Sequence, residues 1–167
     1  MKQKVPREQA QVVADWVKRE LKPYCTEVYV CGSLLRGEEI IGDLDIILYE
    51  PRIWPLKGVS WLQMKPKTAV AQLRGMTVEF GFTYPGSLGA ALLHATGPRD
   101  FNIGMRKLAK TQGMKLNQYG LFDAETAVYL AGRSEEDIFR GLMLEFIKPE
   151  DRSRSWIQNL AEKPQGE

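Results

Sequence analysis

Two acidic residues inside one strongly apolar segment constrain this chain more than any other feature of its sequence. Asp43 and Asp45 belong to the run DLDIIL at 43–48, in which all remaining positions are Ile or Leu. Successive side chains of a strand point to opposite faces, so the two carboxylates share one face while Leu44 and Ile46 point into a core. Adjacent carboxylates repel each other unless a cation lies between them, and hard oxygen ligands favour Mg²⁺. The segment therefore predicts a strand that carries a divalent-cation site.

A Gly-Ser pair, Gly32 and Ser33, precedes this strand and adds a second element of the same site. It follows an apolar segment at 27–31, and Asp43 comes ten residues after Ser33. A Gly-Ser turn that opens a helix offers backbone N–H groups to phosphate oxygens. Alone, the pair indicates only a turn, and an isolated Asp-x-Asp is common. Together, at this spacing, they resemble the nucleotidyltransferase superfamily and predict a phosphoryl-transfer enzyme.

A third acid, Glu79, stands alone among small and apolar residues in the segment Val78–Phe82. Two metal ions that clamp an in-line displacement usually need a third carboxylate, so Glu79 is the candidate for it. The alternative is a solvent-facing position at the edge of a sheet.

Composition narrows the class of protein further. A chain of 167 residues fits one compact unit or two small subdomains. It has no run of eighteen apolar residues and no apolar export signal, so we expect no membrane partner. Cys25 and Cys31 are the only cysteines, which favours a reducing compartment. We expect a cytoplasmic monomer, or a protein of the nucleus or a viral factory if the source is eukaryotic or viral.

Basic residues concentrate between positions 99 and 115 although the net charge of the chain is only +2. This segment has a single acid, Asp100, and five bases: Arg99, Arg106, Lys107, Lys110 and Lys115. Such a stripe predicts contact with a nucleic-acid backbone, although a solvated helix face is the commoner cause of such a pattern.

From Val28 to Arg154 the chain resembles the X family of DNA polymerases, which includes DNA polymerase β, and its compactness is most similar to the very small viral members. The resemblance rests on several motifs in order: Gly32-Ser33-x-x-Arg36-Gly37, Gly42-Asp43-x-Asp45, Glu79, Thr96-Gly97, Asn102, Arg106, Leu116–Phe122 (LNQYGLF), Asp137-Ile138-Phe139 and Lys148–Arg152 (KPEDR). It implies an α+β protein: a nucleotidyltransferase palm, with a mixed sheet flanked by helices, over 1–92; a thumb-like helical and strand subdomain over 93–156; and a polar tail over 157–167.

The resemblance also implies a function, a DNA-directed DNA polymerase that adds deoxynucleotides to a primer 3′-hydroxyl by a two-metal mechanism and fills short gaps during DNA repair. Asp43 and Asp45 would hold two Mg²⁺ ions, with Mn²⁺ as the alternative, and Glu79 would bind the catalytic ion and draw the hydroxyl proton. The partners would be gapped or primed DNA and deoxynucleoside triphosphates. DNA would be held mainly by the five bases of the 99–115 stripe, with Arg106 beside the template.

The implied nucleotide contacts come from both subdomains. Ser33 and Arg36 would hold the β and γ phosphates, and the backbones of Gly32 and Gly42 would help. The other nucleotide contacts would be a Thr96-Gly97 turn beside the sugar, Asn102 on the minor-groove edge of the base, and His94, which we hypothesise to stack on or hydrogen-bond the nucleotide.

Three departures from the family pattern carry expectations of their own. Glu79 replaces the usual Asp, and His94-Ala95 replaces a Tyr-Phe pair that helps exclude ribonucleotides. About 25 residues precede the palm segment, so we expect neither a lyase nor a proofreading domain, and weak, salt-sensitive DNA binding. The alternatives are a template-independent terminal or small-molecule nucleotidyltransferase and a non-catalytic nucleic-acid-binding remnant.

The hydrophobic pattern predicts the individual elements. Helices are expected over 6–21, 33–39, 87–96, 98–113 and 134–141, and strands over 27–31, 43–49, 59–64, 68–73, 76–83, 115–122 and 127–130. In the first helix the predicted buried side is Val12, Val13, Trp16, Val17 and Leu21.

Overall fold

The computed structural model describes residues 3–52 and 60–153 of the chain. The chain divides into two compact units, Met1–Pro85 and Gly86–Glu167. Each unit has a hydrophobic core of its own. The division lies earlier than the predicted boundary after residue 92, because Ala90 and Leu93 of one helix both belong to the second core.

The first unit is a mixed five-stranded sheet with one long helix, α1 (Arg7–Leu21). The strands are β2 (Glu27–Cys31), β4 (Asp43–Tyr49), β5 (Ser60–Met64), β6 (Thr68–Leu73) and β7 (Met76–Thr83). Their order in the sheet is β2-β4-β7-β6-β5. Strands β4 and β7 run parallel, and the other neighbours run antiparallel. The predicted α+β class with a mixed sheet is confirmed, and Val59 of the predicted third strand lies outside the described residues.

Two smaller elements precede the strand that carries the acids. A two-stranded ribbon pairs β1 (Val5–Pro6) with β3 (Ile40–Ile41). Helix α2 (Gly32–Leu35) is a single turn, so the predicted helix over 33–39 was too long. Gly37, with φ of +86°, turns the chain away from the helix and leads it into β3.

Helix α1 covers one face of the sheet with an apolar stripe formed by Ala10, Val13, Ala14, Val17 and Leu21. This stripe packs on strand residues such as Leu44 and Phe80. The prediction for Val12 was wrong, since its side chain is 59% exposed. At 100° per residue, Val12 lies off the line defined by the buried positions.

The described part of the second unit combines three α-helices with a small antiparallel sheet. The helices are α3 (Leu88–Thr96), α4 (Arg99–Thr111) and α5 (Glu135–Gly141), and the strands are β8 (Met114–Asn117), β9 (Gly120–Asp123) and β10 (Tyr129–Ala131). The strands are ordered β10-β9-β8. The predicted cap of α5 is confirmed, because Ser134 Oγ accepts a hydrogen bond from Asp137 N at 3.1 Å. Ser87 makes no such cap on α3, and its hydroxyl donates to the Tyr119 carbonyl at 2.7 Å instead.

A buried arginine ties the end of the described chain to the second core. The Arg152 side chain is inaccessible to solvent and pairs through two nitrogens with the Glu135 carboxylate, at 3.0 and 3.2 Å. Its guanidinium also lies over three aromatic rings, those of Phe101, Phe139 and Phe146. This pairing satisfies a charge that would be costly to bury alone.

Within residues 3–52 and 60–153, no helix has the length and apolar character needed to cross a bilayer. The predicted polar tail at 157–167 and the basic residue Arg154 lie outside the described part of the chain.

Candidate active site

The face of the first sheet opposite α1 carries the acidic residues. Asp43 and Asp45 alternate with buried Leu44 and Ile46 along β4, so the predicted two-faced strand is confirmed. The parallel register places Asp45 directly beside Glu79 of β7, and Asp43 beside Thr77. Because side chains of paired residues point to the same face, the three carboxylates share one surface of the sheet.

Asp45 is the electrostatic centre of this surface. Burial, the charge of Glu79, a side-chain hydrogen bond with Glu79 and the charge of Asp43 raise its pKa to about 7, while Arg36 acts in the opposite direction. The Asp45 carboxyl is therefore partly protonated near neutral pH. A nearby cation would relieve the repulsion that its charged form meets from Glu79 and Asp43.

Gly32 makes the close approach of the turn to this acid possible. A Cβ atom added at Gly32 would overlap Oδ2 of Asp45, and its φ of +67° is one that residues with a side chain rarely adopt. Cys31, the preceding residue, pairs with Asp45 across β2 and β4. The Gly-Ser turn and the acidic strand are thus in direct contact, although a ten-residue spacing separates them in sequence.

Ser33 and Arg36 lie in the same turn, on α2 and directly after it. Ser33 is partly exposed, and its carbonyl accepts a hydrogen bond from Glu38 N at 3.1 Å. Arg36 Nη2 pairs with Glu38 Oε2 at 2.6 Å, and the two side chains are 19% and 52% exposed. Gly42, the residue before Asp43, has no atom within 4 Å of the position of an added Cβ.

The donor set fits a hard divalent cation. Asp43, Asp45 and Glu79 offer carboxylate oxygens, the ligands that Mg²⁺ prefers, and Oδ1 of Asp43 is buried. In the described segments no three acidic, His or Cys side chains are already gathered around one ion position. The crowding that raises the Asp45 pKa is the condition that a bound cation would relieve.

The remaining predicted nucleotide contacts belong to the second unit. Thr96 is buried at the end of α3, and Gly97 follows it with φ of +62° before a cis bond to Pro98. Asn102 Nδ2 donates to the His94 carbonyl at 3.0 Å, which joins α3 to α4. Desolvation and the charge of Arg106 lower the pKa of His94.

Three of these residues, His94, Asn102 and Arg106, line a small cavity within the second unit. His94, Asn102, Arg106 and Asn117 contribute its polar groups, and Ala90, Leu93 and Leu116 its apolar wall. The Oδ1 atom of Asn102 is buried there without a hydrogen-bond partner in the described residues. The structure therefore brings together three of the side chains that the sequence singled out separately.

All five residues of the predicted basic stripe are exposed. Arg99, Arg106, Lys107 and Lys110 occupy solvent-facing positions of α4, and Lys115 is exposed on β8. Arg99, Arg106 and Lys110 lie on nearly the same line along the helix, because seven residues separate the first two and four residues separate the last two. None of the five is ion-paired with another residue of the described chain. We call these five residues the α4 basic surface.

Sequence reasoning missed two residues with side-chain contacts at the turn 32–38, one within the turn and one outside it. Glu38 pairs with Arg36, and nothing in its spacing indicated this. Arg7 Nη1 donates to the carbonyls of Leu34 and Glu38. The position of Arg7 could have indicated such a contact. A basic residue in the first turn of a helix interacts unfavourably with the helix dipole, which suggests that its side chain is held by other groups.

Comparison with known proteins identifies the fold and the family. A family model described as the DNA polymerase beta palm matches residues 4–73, and one described as the DNA polymerase beta thumb matches residues 91–153. The chain belongs to the X family of DNA polymerases. Members of this family are nucleotidyltransferases.

Two curated relatives of the family X chain differ greatly in length. This chain is 45% identical to human DNA-directed DNA/RNA polymerase mu over 64 residues. That alignment covers 38% of this chain and 13% of the human protein. This chain is 29% identical over 147 residues to a Repair DNA polymerase X of African swine fever virus, which covers 79% of this chain and 84% of the relative. The chain thus spans less than a quarter of the length of the cellular relatives that it matches.

A solved structure supports the same fold. The Leishmania infantum polymerase beta in its ternary primer-template complex matches with a TM-score of 0.78 and 22% identity, over 91% of this chain and 77% of that one. At this identity the likeness establishes the fold alone.

Proposed function

We propose that this family X chain is a DNA-directed DNA polymerase that extends a primer 3′-hydroxyl with deoxynucleotides. The observation that carries the proposal is the register of β4 and β7, which places Glu79 beside Asp45 on the face that Asp43 shares. Three carboxylates on one sheet face, next to a Gly-Ser turn, are what a metal-assisted phosphoryl transfer needs.

Asp43 and Asp45 would hold two Mg²⁺ ions, or Mn²⁺, and Glu79 would hold one of them. Bound there, the ions would neutralise the triphosphate and make the primer hydroxyl more acidic. Asp45 must release its proton for this role, since its pKa is about 7. The Glu79 carboxylate would then accept the proton of the primer 3′-hydroxyl.

The turn at 32–38 would bind the triphosphate. The Ser33 hydroxyl and the Arg36 guanidinium would bind the β and γ phosphates, with the Gly32 and Gly42 backbones close by. Arg suits this task because its planar group makes two directed hydrogen bonds. The phosphate would take the place of the Glu38 carboxylate that pairs with Arg36 at 2.6 Å, so one anion would replace another.

The second unit would contribute the sugar, base and DNA contacts. Thr96 and Gly97 would lie at the sugar, His94 and Asn102 at the base, and Arg106 at the template. The α4 basic surface would neutralise the DNA backbone, which makes binding salt-sensitive.

Gap filling in repair is the finer part of the proposal. One viral relative, of which this chain covers 84%, is named a repair polymerase. The human relative is named a DNA/RNA polymerase, and the His94-Ala95 pair raises the same question of sugar selectivity here. The monomeric state and the compartment, predicted as the cytoplasm or, for a eukaryotic or viral source, the nucleus or a viral factory, stay predictions.

The test is Mg²⁺-dependent extension of a labelled primer on a one-nucleotide gap, an open template and an unpaired strand, each with deoxy- and ribonucleotides. Template-directed addition that is abolished in Asp43→Ala/Asp45→Ala would support the proposal. The matched control is Asp15→Ala/Glu20→Ala, which removes two exposed acids from α1. Addition to unpaired strands alone would make the chain a terminal transferase. No addition to any substrate would contradict a polymerase and favour a small-molecule acceptor or a non-catalytic role.

A further inference from the structure

Arg7 connects the start of α1 to the turn that follows β2. Its Nη1 atom donates to the Leu34 carbonyl at 2.8 Å and to the Glu38 carbonyl at 3.2 Å. Its backbone N–H donates to the Glu39 carbonyl at 2.8 Å. Three hydrogen bonds thus join one partly buried residue to a segment about thirty positions later in the chain.

This segment has little stability of its own. Helix α2 is a single turn, and forming one helical turn fixes several residues for few hydrogen bonds, so such a turn is unstable in isolation. Three backbone bonds close it: Arg36 N to Gly32 O at 3.0 Å, Glu38 N to Ser33 O at 3.1 Å, and Gly37 N to Leu34 O at 3.3 Å. The last is the longest, and Arg7 donates to the same Leu34 carbonyl.

The two Arg7 contacts lie next to the residues that bind phosphate in the proposed function. Arg36 lies between Leu34 and Glu38, and Ser33 immediately precedes Leu34. The Arg7 guanidinium holds the carbonyls of Leu34 and Glu38, which lie on either side of Arg36. It therefore holds the Arg36 backbone, from which the Arg36 side chain extends, in one position. Arg7 itself has no place among the proposed contacts with nucleotide, metal or DNA.

We propose that Arg7 is a positioning residue that holds the turn at 33–38 in the geometry required to bind a nucleoside triphosphate. This rests on the proposed function of the turn. Arg7 acts through the backbone, so its removal should weaken nucleotide binding while the carboxylates on β4 and β7 keep their arrangement.

The experiment compares Arg7→Gln, which removes the charge, and Arg7→Lys, which keeps the charge on a single donor nitrogen, with Arg19→Gln. Arg19 is an exposed arginine of the same helix whose side chain makes no hydrogen bond or ion pair with the described chain, so it matches the change in charge. Amide hydrogen exchange of the full chain is measured at 36–38 and in β4. The dissociation constant for Mg²⁺-deoxynucleoside triphosphate is measured by calorimetry, and kcat and KM by primer extension.

In Arg7→Gln we expect exchange at 36–38 to accelerate about tenfold, with β4 unchanged. Nucleotide affinity should fall about tenfold and KM should rise in parallel, while kcat at saturating nucleotide changes less than about threefold. Arg7→Lys should recover part of the affinity, and Arg19→Gln should match the wild type.

Equal effects of Arg7→Gln and Arg19→Gln would overturn the proposal. So would uniform acceleration of exchange together with equal reductions in kcat and affinity, because that pattern means general destabilisation. Failure of the wild type to bind or incorporate nucleotide would refute the proposed function instead. The exchange comparison would then still decide whether Arg7 orders the turn.

Discussion

At the scale of a single residue, the surroundings of Asp45 set its pKa. It is packed against Gly32 and hydrogen-bonded to Glu79, and this crowding raises its pKa to about 7. The unfolded chain offers no such crowding, so its carboxyl would titrate near 3.8. The folded protein therefore holds a proton that the unfolded chain has released over the interval between these two values.

The first prediction is a fall in the free energy of unfolding as pH rises from about 4 to about 7 in the absence of metal. The folded state binds more protons than the unfolded state over this range, so stability decreases with pH. At about 1.4 kcal/mol per unit of pKa shift, the Asp45 contribution should be of the order of 2–4 kcal/mol. Urea denaturation at several pH values, in the presence of a chelator, measures it.

Asp45→Asn is the control for this prediction, because it keeps the size of the side chain and removes the titration. The difference in stability between wild type and variant should grow up to pH 7 in favour of the variant. Parallel pH profiles for the two proteins would contradict the raised pKa.

A second prediction concerns the role of Glu79 as the third carboxylate. The family pattern alone did not settle this role, because Glu79 stands where an Asp is usual. Glu79→Gln should lower kcat by about a hundredfold or more, since it removes the proposed proton acceptor. It should also lower the pKa of Asp45, because the neighbouring negative charge is removed.

Single-turnover extension and the pH profile of stability measure these two effects of Glu79→Gln. Glu20→Gln on the exposed face of α1 is the matched control. Wild-type turnover in Glu79→Gln would exclude the proposed role of this residue.

At the scale of elements, the second unit contains a close contact between α3 and the start of α5. Gly89 of α3 lies so close to the Ser134 backbone that an added Cβ would overlap it. Ser134 in turn caps α5. One small residue therefore permits the contact between α3 and the start of α5.

We predict that Gly89→Ala destabilises the protein by about 3 kcal/mol, because backbone atoms cannot move aside as a flexible side chain would. Gly42→Ala is the matched control, since no atom lies within 4 Å of its added Cβ. Chemical denaturation measures both variants. A Gly89→Ala protein as stable as the control would show that α3 and α5 can separate at little cost.

The α4 basic surface is also a property of an element, because four of its five charges lie on helix α4. Replacing Lys107 and Lys110 with Gln should reduce the slope of log affinity for gapped DNA against log salt by about two, since each phosphate that is no longer neutralised changes the slope by roughly 0.9. Lys18→Gln/Arg19→Gln, which removes two exposed charges from α1, should leave the slope unchanged. Equal slopes for the α4 variant and the wild type would exclude this surface from DNA binding.

At the scale of the whole molecule, the described residues form two hydrophobic cores, one in each unit. Ser33 and Arg36, the proposed phosphate contacts, belong to the first unit. A ligand that binds only the folded chain stabilises it by mass action.

Mg²⁺ together with a deoxynucleoside triphosphate should therefore raise the melting temperature of the whole chain. At a hundred times the dissociation constant the gain is about 2.7 kcal/mol, or roughly 5–10 °C for a protein of this size. Thermal denaturation with Mg²⁺, nucleotide, both and neither measures it. Asp43→Ala/Asp45→Ala should abolish the joint effect, and an equal shift in that variant would place the nucleotide away from these acids.

Local patterns in the sequence determined most of the elements. The alternation of Asp43 to Ile46, the apolar spacing of α1 and the Ser134 cap each predicted the structure found there, because each depends on residues within one or two turns or a single strand. The two errors in the first unit have local causes too: a left-handed Gly37 ended α2 early, and the true stripe of α1 excluded Val12.

The tertiary structure alone decided which distant residues meet. The parallel pairing of β4 with β7 places Glu79 beside Asp45, and with it sets the Asp45 pKa. The contacts of Arg7 with Leu34 and of Asn102 with His94 likewise join separate elements. Strand register and helix packing arise from backbone hydrogen bonds and core contacts between segments far apart in sequence. The sequence therefore indicated the residue types of the candidate site, while the fold determined their neighbours.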